Sequence, residues 1–392
     1  MKKRIIIVNK SFETGGIQSA LVNMSNELCK EYDVDLFIYN PKGIMRERLD
    51  HRVVVFEPNW KIKVLGMTMK DAISSKKIKI ILFKLFGTMW SKLFNNHLPI
   101  ALAFSSQKRL VGYDLAIAYH QEQKRHTLTS GFTQFVLKKT EAKKKVAWMH
   151  YDPSNLDLDI RYSLKDYSEI DAIYCVSKSI MENAKAAIPE LKEKFCYCYN
   201  FVDCQAILNK SIEPIHYELD PKSFICYSAC RLTKEKALVR AINCIAPILK
   251  EHKDVVWIIA GDGVERSNIE KTIEQNNVST QVLLIGNQSN PYSYMKRANL
   301  VMNVSYHEAA PMVFLESKLL GVPVFATDTS SALEFAESNN AFYICPNSDE
   351  GIRIKFREII EKKEEIKKIK NHINVFGNVN EQSLEIMRSL VK

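Results

Sequence analysis

No two cysteines in this chain stand at C-x2-C spacing, and no histidine pair completes a zinc-binding set, although nine cysteines occur among 392 residues. That excludes the small zinc modules. Cys175, Cys226, Cys230, Cys244 and Cys345 lie in apolar or strand-like contexts, and Cys196 and Cys198 alternate along one expected strand. Reduced thiols in a folded core are therefore expected. Long apolar runs are missing as well: nothing approaches the roughly 18 uninterrupted apolar residues of a membrane-spanning helix. The opening Met-Lys-Lys-Arg precedes only Ile5 to Val8, too short a run for a signal peptide. A cytoplasmic location is expected. The G-x-G-x-x-G fingerprint of nicotinamide dinucleotide binding does not follow the first strand. Acid is scarce in one place above all. From Lys61 to Arg109 ten basic residues face a single acid, Asp71.

The rest of the composition, 46% hydrophobic and 26% charged over this length, suits two domains of ordinary size, each with its own core. The net charge of +10 is concentrated in the basic stretch, where Ile78, Leu82, Phe83, Phe86, Met89 and Trp90 are interleaved with the lysines. An amphipathic helix there suits an anionic membrane surface, or it docks on its own domain with the lysines solvated. No nucleic-acid-binding module accompanies the charge, so no nucleic acid partner is expected.

Buried parallel strands are expected at Arg4 to Val8, Val34 to Tyr39, Val53 to Phe56, Asp114 to Ala118, Lys145 to His150, Ala172 to Val176 and Phe195 to Tyr199. The first runs into Gly15-Gly16 and an apolar helical pattern, a strand-loop-helix unit whose paired glycines permit positive φ and close approach of a ligand. His150 stands where a strand ends, placed for a sugar hydroxyl, a phosphate or a proton, and Asp152 follows it. Ser177 is an expected helix cap. A polar, proline-bearing stretch from Asn209 to Lys222 separates a second series of strands: Phe224 to Ala229, Val255 to Ala260, Val282 to Ile285, Leu300 to Val304, Val322 to Ala326 and Phe342 to Ile344. The expected domains are 1–208, with the basic insertion at about 60–110, and 209–375, with a closing helical segment at 376–392.

The chemistry-bearing stretch is Ser305-Tyr-His-Glu308-Ala-Ala-Pro-Met312-Val-Phe-Leu-Glu316, followed by Gly321-Val-Pro-Val and Thr327-Asp328. Glu308 is expected in the loop after a strand, and Glu316 in the second turn of a helix that starts near Met312, with Pro311 as an early helix residue. In an open α/β sheet ligands bind outside the carboxyl ends of the strands, and a helix N-terminus there faces anions. Upstream, Cys230-Arg231-Leu232 and Lys236-Ala237 follow another strand, where a guanidinium and an ammonium can neutralise a diphosphate.

Together Glu308, Glu316, Gly321-Val-Pro-Val and Thr327-Asp328 resemble the donor-site signature of the retaining glycosyltransferases of family 4. The resemblance implies an α/β fold of two Rossmann-like domains, the GT-B architecture, facing each other across a cleft. It implies a nucleotide-sugar donor, with UDP as the expected carrier, and no metal or other cofactor. It assigns the nucleotide ribose to Glu316, the donor sugar to Glu308 and His150, and the leaving diphosphate to Arg231 and Lys236. The loop backbone of Ala309, Ala310, Pro311 and Met312 would line the sugar and phosphate site, with Asn287 beside the base and Gly15 and Gly16 near the phosphates. The sequence departs from the family pattern at Cys230, Ala237, Ala309, Ser330 and Ser331, each standing where glycine is usual. Two D-x-D triplets, Asp33-Val-Asp35 and Asp157-Leu-Asp159, are not read as metal sites. The expected reaction is retaining hexosyl or N-acetylhexosaminyl transfer to a lipid-linked or glycan acceptor in capsule, exopolysaccharide or O-antigen assembly, at the cytosolic face of a membrane. A nucleotide-sugar 2-epimerase and a non-catalytic partner subunit remain as alternatives.

Overall fold

The computed structural model describes residues 2–13, 15–153, 160–215, 220–336, 341–372 and 379–392. Among the described residues thirteen strands form two parallel sheets. The first contains β1 (Arg4–Ser11), β2 (Asp33–Asn40), β3 (Val54–Phe56), β4 (Leu110–Ala118), β5 (Thr140–Met149), β6 (Ala172–Cys175) and β7 (Phe195–Tyr197). The second contains β8 (Phe224–Ala229), β9 (Val255–Ala260), β10 (Val282–Gly286), β11 (Leu300–Asn303), β12 (Val324–Thr327) and β13 (Phe342–Cys345). The strand orders are β3-β2-β1-β4-β5-β6-β7 and β10-β9-β8-β11-β12-β13. Each order reverses direction once, between β1 and β4 and between β8 and β11. These are the switch points at which an open α/β sheet leaves a crevice.

Sequence explains why these runs become strands. Ile5 to Val8 and Phe224 to Tyr227 are unbroken apolar runs that bury both faces, which only a parallel sheet covered by helices on both sides accommodates. In the second unit, Trp257, Phe325 and the helices Leu238–Glu251 and Asp349–Glu361 close one core. Gly261 is required where β9 ends. Its φ is +146°, and a Cβ there would lie 1.9 Å from the Cys230 carbonyl oxygen, so the loops after β8 and β9 can pack only with glycine.

The chain divides into two compact units, Met1–Phe201 with Asn380–Lys392, and Val202–Val379. The first boundary thus falls seven residues before the expected 208/209, because helix Cys204–Ser211 packs on the helices Tyr292–Arg297 and Met312–Leu320 of the second unit. The closing helix, Glu381–Val391, belongs to the first unit, where Arg388 pairs with Glu31 at 2.6 Å and Ser383 donates to the Tyr199 carbonyl at 3.0 Å. All nine cysteines are free thiols. Among the described residues no helix is long and apolar enough to cross a membrane.

Candidate functional site

In the second unit, the loops after β8 and β11 meet at the switch point. Lys236 ends a short 3-10 turn (Lys234–Lys236) after β8, and Glu308 lies in the loop after β11. Their side chains meet, with Lys236 Nζ 2.5 Å from Glu308 Oε1. The same oxygen accepts from the Ser305 hydroxyl at 2.7 Å and, more weakly, from Asn303 Nδ2 at 3.4 Å. Burial works against the Lys236 charge, but the Glu308 carboxylate overcomes it by charge and hydrogen bond and holds the ammonium above its ordinary range. The loop backbone is braced from below: Thr327 donates to the Ser305 carbonyl at 2.6 Å, and Asn347 donates to that of Tyr306 at 2.9 Å. Arg231, one turn before Lys236, is exposed and makes no ion pair among the described residues.

The positions that replace glycine behave differently from one another. Ala237 stands at φ +52° and ψ +27°, the left-handed conformation that glycine adopts without strain, so the backbone path is kept at the expense of an alanine under strain. Cys230 is not in that conformation. Burial pushes its thiol up to about 11, against the pull of Lys236, so it stands in the site as a neutral thiol. Ser331 is buried and donates weakly, at 3.4 Å, to the Glu308 carbonyl.

Helix Met312–Leu320 begins beside Glu308. Pro311 occupies the position before the helix rather than its first turn, as its ψ of 123° shows, and no side chain caps the helix there. That correction leaves the first-turn amides of Met312 and Val313 uncapped by any side chain, as an anion site at a helix N-terminus requires. Glu316, in the second turn, accepts from the Tyr292 hydroxyl at 3.3 Å. Tyr227, on β8, is buried with a hydroxyl that has no partner among the described residues, and burial, helped by the Glu316 charge, raises its pKa. Ala309 and Ala310 are half-buried in the same loop. Asn287 is exposed in the loop after β10, at the sheet edge away from the switch point.

The first unit carries its own polar groups at the corresponding end of its sheet. His150 follows β5 and is buried, with Nε2 2.7 Å from the Tyr119 carbonyl. A carbonyl accepts, so Nε2 carries the proton and Nδ1 is left as an acceptor. Burial pushes this histidine down to about 4, so it is neutral at ordinary pH and does not carry a proton into a reaction as an imidazolium. Gly15 and Gly16 open helix Gly16–Leu28, but neither uses the left-handed φ that glycine permits: Gly15 is extended at φ 167°, and a Cβ on Gly16 would meet open space. These glycines leave a bare helix N-terminus instead of making a turn that only glycine permits. Asp152 accepts from Asn183 at 2.7 Å, and Ser177 caps its helix through the Ile180 amide.

Three residues at this end escaped the sequence reading. Asn9 at the end of β1, and His120 and Gln121 just after β4, are buried, and Asn9 Oδ1, His120 Nδ1 and Gln121 Nε2 have no partner among the described residues. Gln121 Oε1 accepts from the amides of His150 and Tyr151 at 3.0 Å each, which turns its NH2 outward from that bond. The signal was present: polar residues stand at or just beyond the ends of the apolar runs of the two strands that flank the switch point. Of the D-x-D triplets, Asp35 accepts from Arg4 at 3.0 Å and from the Tyr113 hydroxyl at 2.7 Å in a structural network at the start of β2. Asp157 and Asp159 lie outside the described residues. Among the described residues no three His, Cys, Asp or Glu side chains are grouped to hold a metal ion.

Two Rossmann-like units of this topology define the class. Over 99% of the chain and 100% of the other, the fold matches the crystal structure of Anabaena HepE with UDP and glucose, at a TM-score of 0.66 and 17% identity. Residues 210–385 match the family model described as glycosyl transferases group 1. An uncharacterized glycosyltransferase of Methanocaldococcus jannaschii is 23% identical over 226 residues, 55% of this chain and 55% of that protein. The N-acetylgalactosamine-N,N'-diacetylbacillosaminyl-diphospho-undecaprenol 4-alpha-N-acetylgalactosaminyltransferase of Campylobacter jejuni is 28% identical over 169 residues, 41% of this chain and 44% of that enzyme. The chain thus matches about half the length of these curated relatives. Its fold is thus of the GT-B type, and its second unit is similar to the group 1 glycosyl transferases.

Proposed function

We propose that this chain transfers a hexose or N-acetylhexosamine from a UDP-sugar to a lipid-linked or glycan acceptor, with retention of anomeric configuration and without a metal ion. The setting is assembly of a surface polysaccharide such as a capsule, exopolysaccharide or O-antigen, at the cytosolic face of a membrane. The observation that carries this reading is the meeting of Lys236 with Glu308 beside the uncapped amino end of helix Met312–Leu320, at the switch point of the second unit.

Breaking the bond between sugar and diphosphate develops negative charge on the leaving phosphate, and fixed cations and amide dipoles stabilise that charge best where water is excluded. Lys236 is held charged by Glu308, Arg231 projects from the same loop, and the first amides of the helix add their dipole. Glu308 then has two tasks. It orients the ammonium and offers carboxylate oxygens to sugar hydroxyls. Glu316, steadied by Tyr292, takes the ribose hydroxyls, with Asn287 toward the base. His150, neutral with a free acceptor nitrogen, hydrogen-bonds a sugar hydroxyl instead of donating a proton. In that scheme the leaving phosphate takes the acceptor's proton and no enzyme carboxylate becomes a nucleophile. The likeness of the UDP-bound HepE fold and of the undecaprenol-diphosphate-directed relative supports the choice of donor and acceptor.

The test is UDP release by the purified chain against a panel of UDP-sugars, with a lipid extract, EDTA, and Glu308→Ala and Lys236→Ala controls. Donor-specific release that survives EDTA and collapses in both variants supports the proposal. Absence of UDP binding removes the donor-site assignment, and loss of release in EDTA removes metal independence.

A further inference from the structure

Helix Ile78–Leu93 is built inside out. Its buried face consists of Ile80, Lys84, Gly87 and Ser91, at the helical spacing of four, three and four. Its outward face carries Ile78, Leu82, Leu85, Phe86, Met89 and Leu93, of which Ile78 is 74% exposed, Leu82 60%, Met89 61% and Leu93 70%. A surface helix ordinarily shows the opposite arrangement, and a contiguous apolar stripe on this scale marks an interaction site.

The orientation is locked by the polar face. Lys84 is buried, and its ammonium donates to the carbonyls of Val64 at 3.2 Å and Met67 at 2.5 Å, at the carboxyl end of helix Trp60–Gly66. Gly87 lets the helix press onto Leu128, whose Cδ1 would stand 2.9 Å from an added Cβ. The Ser91 carbonyl meets His126 Nδ1 at 3.0 Å. Rolling the helix to hide the stripe would break all three attachments and leave the Lys84 charge unpartnered.

We propose that this stripe docks the chain on an anionic lipid surface, with the helix lying in the plane of the interface. Charge selects the occupant. Lys76, Lys77 and Lys79 stand at the amino end of the stripe and Lys92 at the other, and the only acid from Lys61 to Arg109 is Asp71. A second copy of the chain would bring these like charges together, whereas anionic headgroups neutralise them while the stripe enters the acyl boundary. The helix has 16 residues. At about 24 Å long it is shorter than the roughly 30 Å hydrocarbon core, so it lies on the membrane instead of crossing it.

The test is co-sedimentation of the full chain with vesicles of phosphatidylglycerol and phosphatidylcholine, mixed at about three to seven, beside vesicles of phosphatidylcholine alone. A variant carrying Leu82→Ser, Met89→Ser and Leu93→Ser should partition at least tenfold less onto the mixed vesicles, with an unchanged melting temperature because all three side chains are exposed. Its UDP affinity should equal that of the unmodified chain, which keeps this result separate from the nucleotide-sugar proposal. The proposal is overturned if the unmodified chain does not sediment with the mixed vesicles, or if the variant sediments equally well. It is also overturned if the unmodified chain is a dimer that the variant turns into a monomer, since a second copy would then be the occupant.

Discussion

Acid should destabilise the first unit through His150, and the size of the effect follows from its burial. The folded unit holds this imidazole neutral down to about pH 4, whereas in the unfolded chain it protonates near its ordinary 6.5. Between these values the unfolded state binds one more proton than the folded state, so stability is fully present above pH 6.5 and is lost as pH falls toward 4. One group in that window contributes about 1.4 kcal/mol per pH unit, or about 2 kcal/mol by pH 5. Other groups titrate alongside it. Burial pushes His120 down to about 3, which adds to the loss, while burial raises the Glu122 carboxyl despite its bonds to Ser130, Gly131 and Thr133, which opposes it. The clean quantity is therefore a difference between variants. His150→Gln keeps a donor for the Tyr119 carbonyl and does not titrate. Urea unfolding followed by tryptophan emission, in a Trp257→Phe background that silences the buried tryptophan of the second unit, gives stability at pH 7, 6 and 5. The stability advantage of the histidine protein over the variant should shrink by about 2 kcal/mol from pH 7 to pH 5. A difference that stays constant within about 0.5 kcal/mol would mean that folded His150 titrates like an exposed histidine, and the assignment of a neutral hydrogen-bonding role would fall with it.

Other consequences are independent of that one. In a cycle of Glu308→Gln, Lys236→Met and the double variant, the pair should show a coupling of about 1–2 kcal/mol in stability, since both side chains are mostly buried, and purely additive losses would deny the ion pair. Turnover should fall by about two orders of magnitude in each single variant, with Lys236→Arg retaining part of it. Ala237→Gly should raise stability by about 1 kcal/mol by relieving the left-handed alanine, and a loss in urea midpoint would contradict that backbone geometry. Gly261→Ala should lower stability by about 2–4 kcal/mol, because the new methyl meets the Cys230 carbonyl, and a neutral result would show that the loops after β8 and β9 can move apart.

What the sequence alone determined was the series of strands in the described residues. All thirteen expected strands are present, because a buried parallel strand is a continuous apolar run that needs no knowledge of its neighbours. Glu308, Arg231 and Lys236 could be placed in loops because each follows such a strand, but only the structure brings Lys236 and Glu308 together. The two compact units divide at Phe201/Val202 instead of 208/209, because helix Cys204–Ser211 carries no sequence mark of which domain it joins and only its packing on the second unit assigns it. Asn9, His120 and Gln121 were passed over because a polar residue after a strand is ordinary until its burial without a partner is known. The same holds for the basic insertion. Its sequence could not say which face of helix Ile78–Leu93 turns inward, since Ile80 and Leu82 look alike in a string of letters. Only the tertiary structure decided that Lys84 is inside and Leu82 outside, because the buried carbonyls of Val64 and Met67 need a donor and the ammonium supplies it.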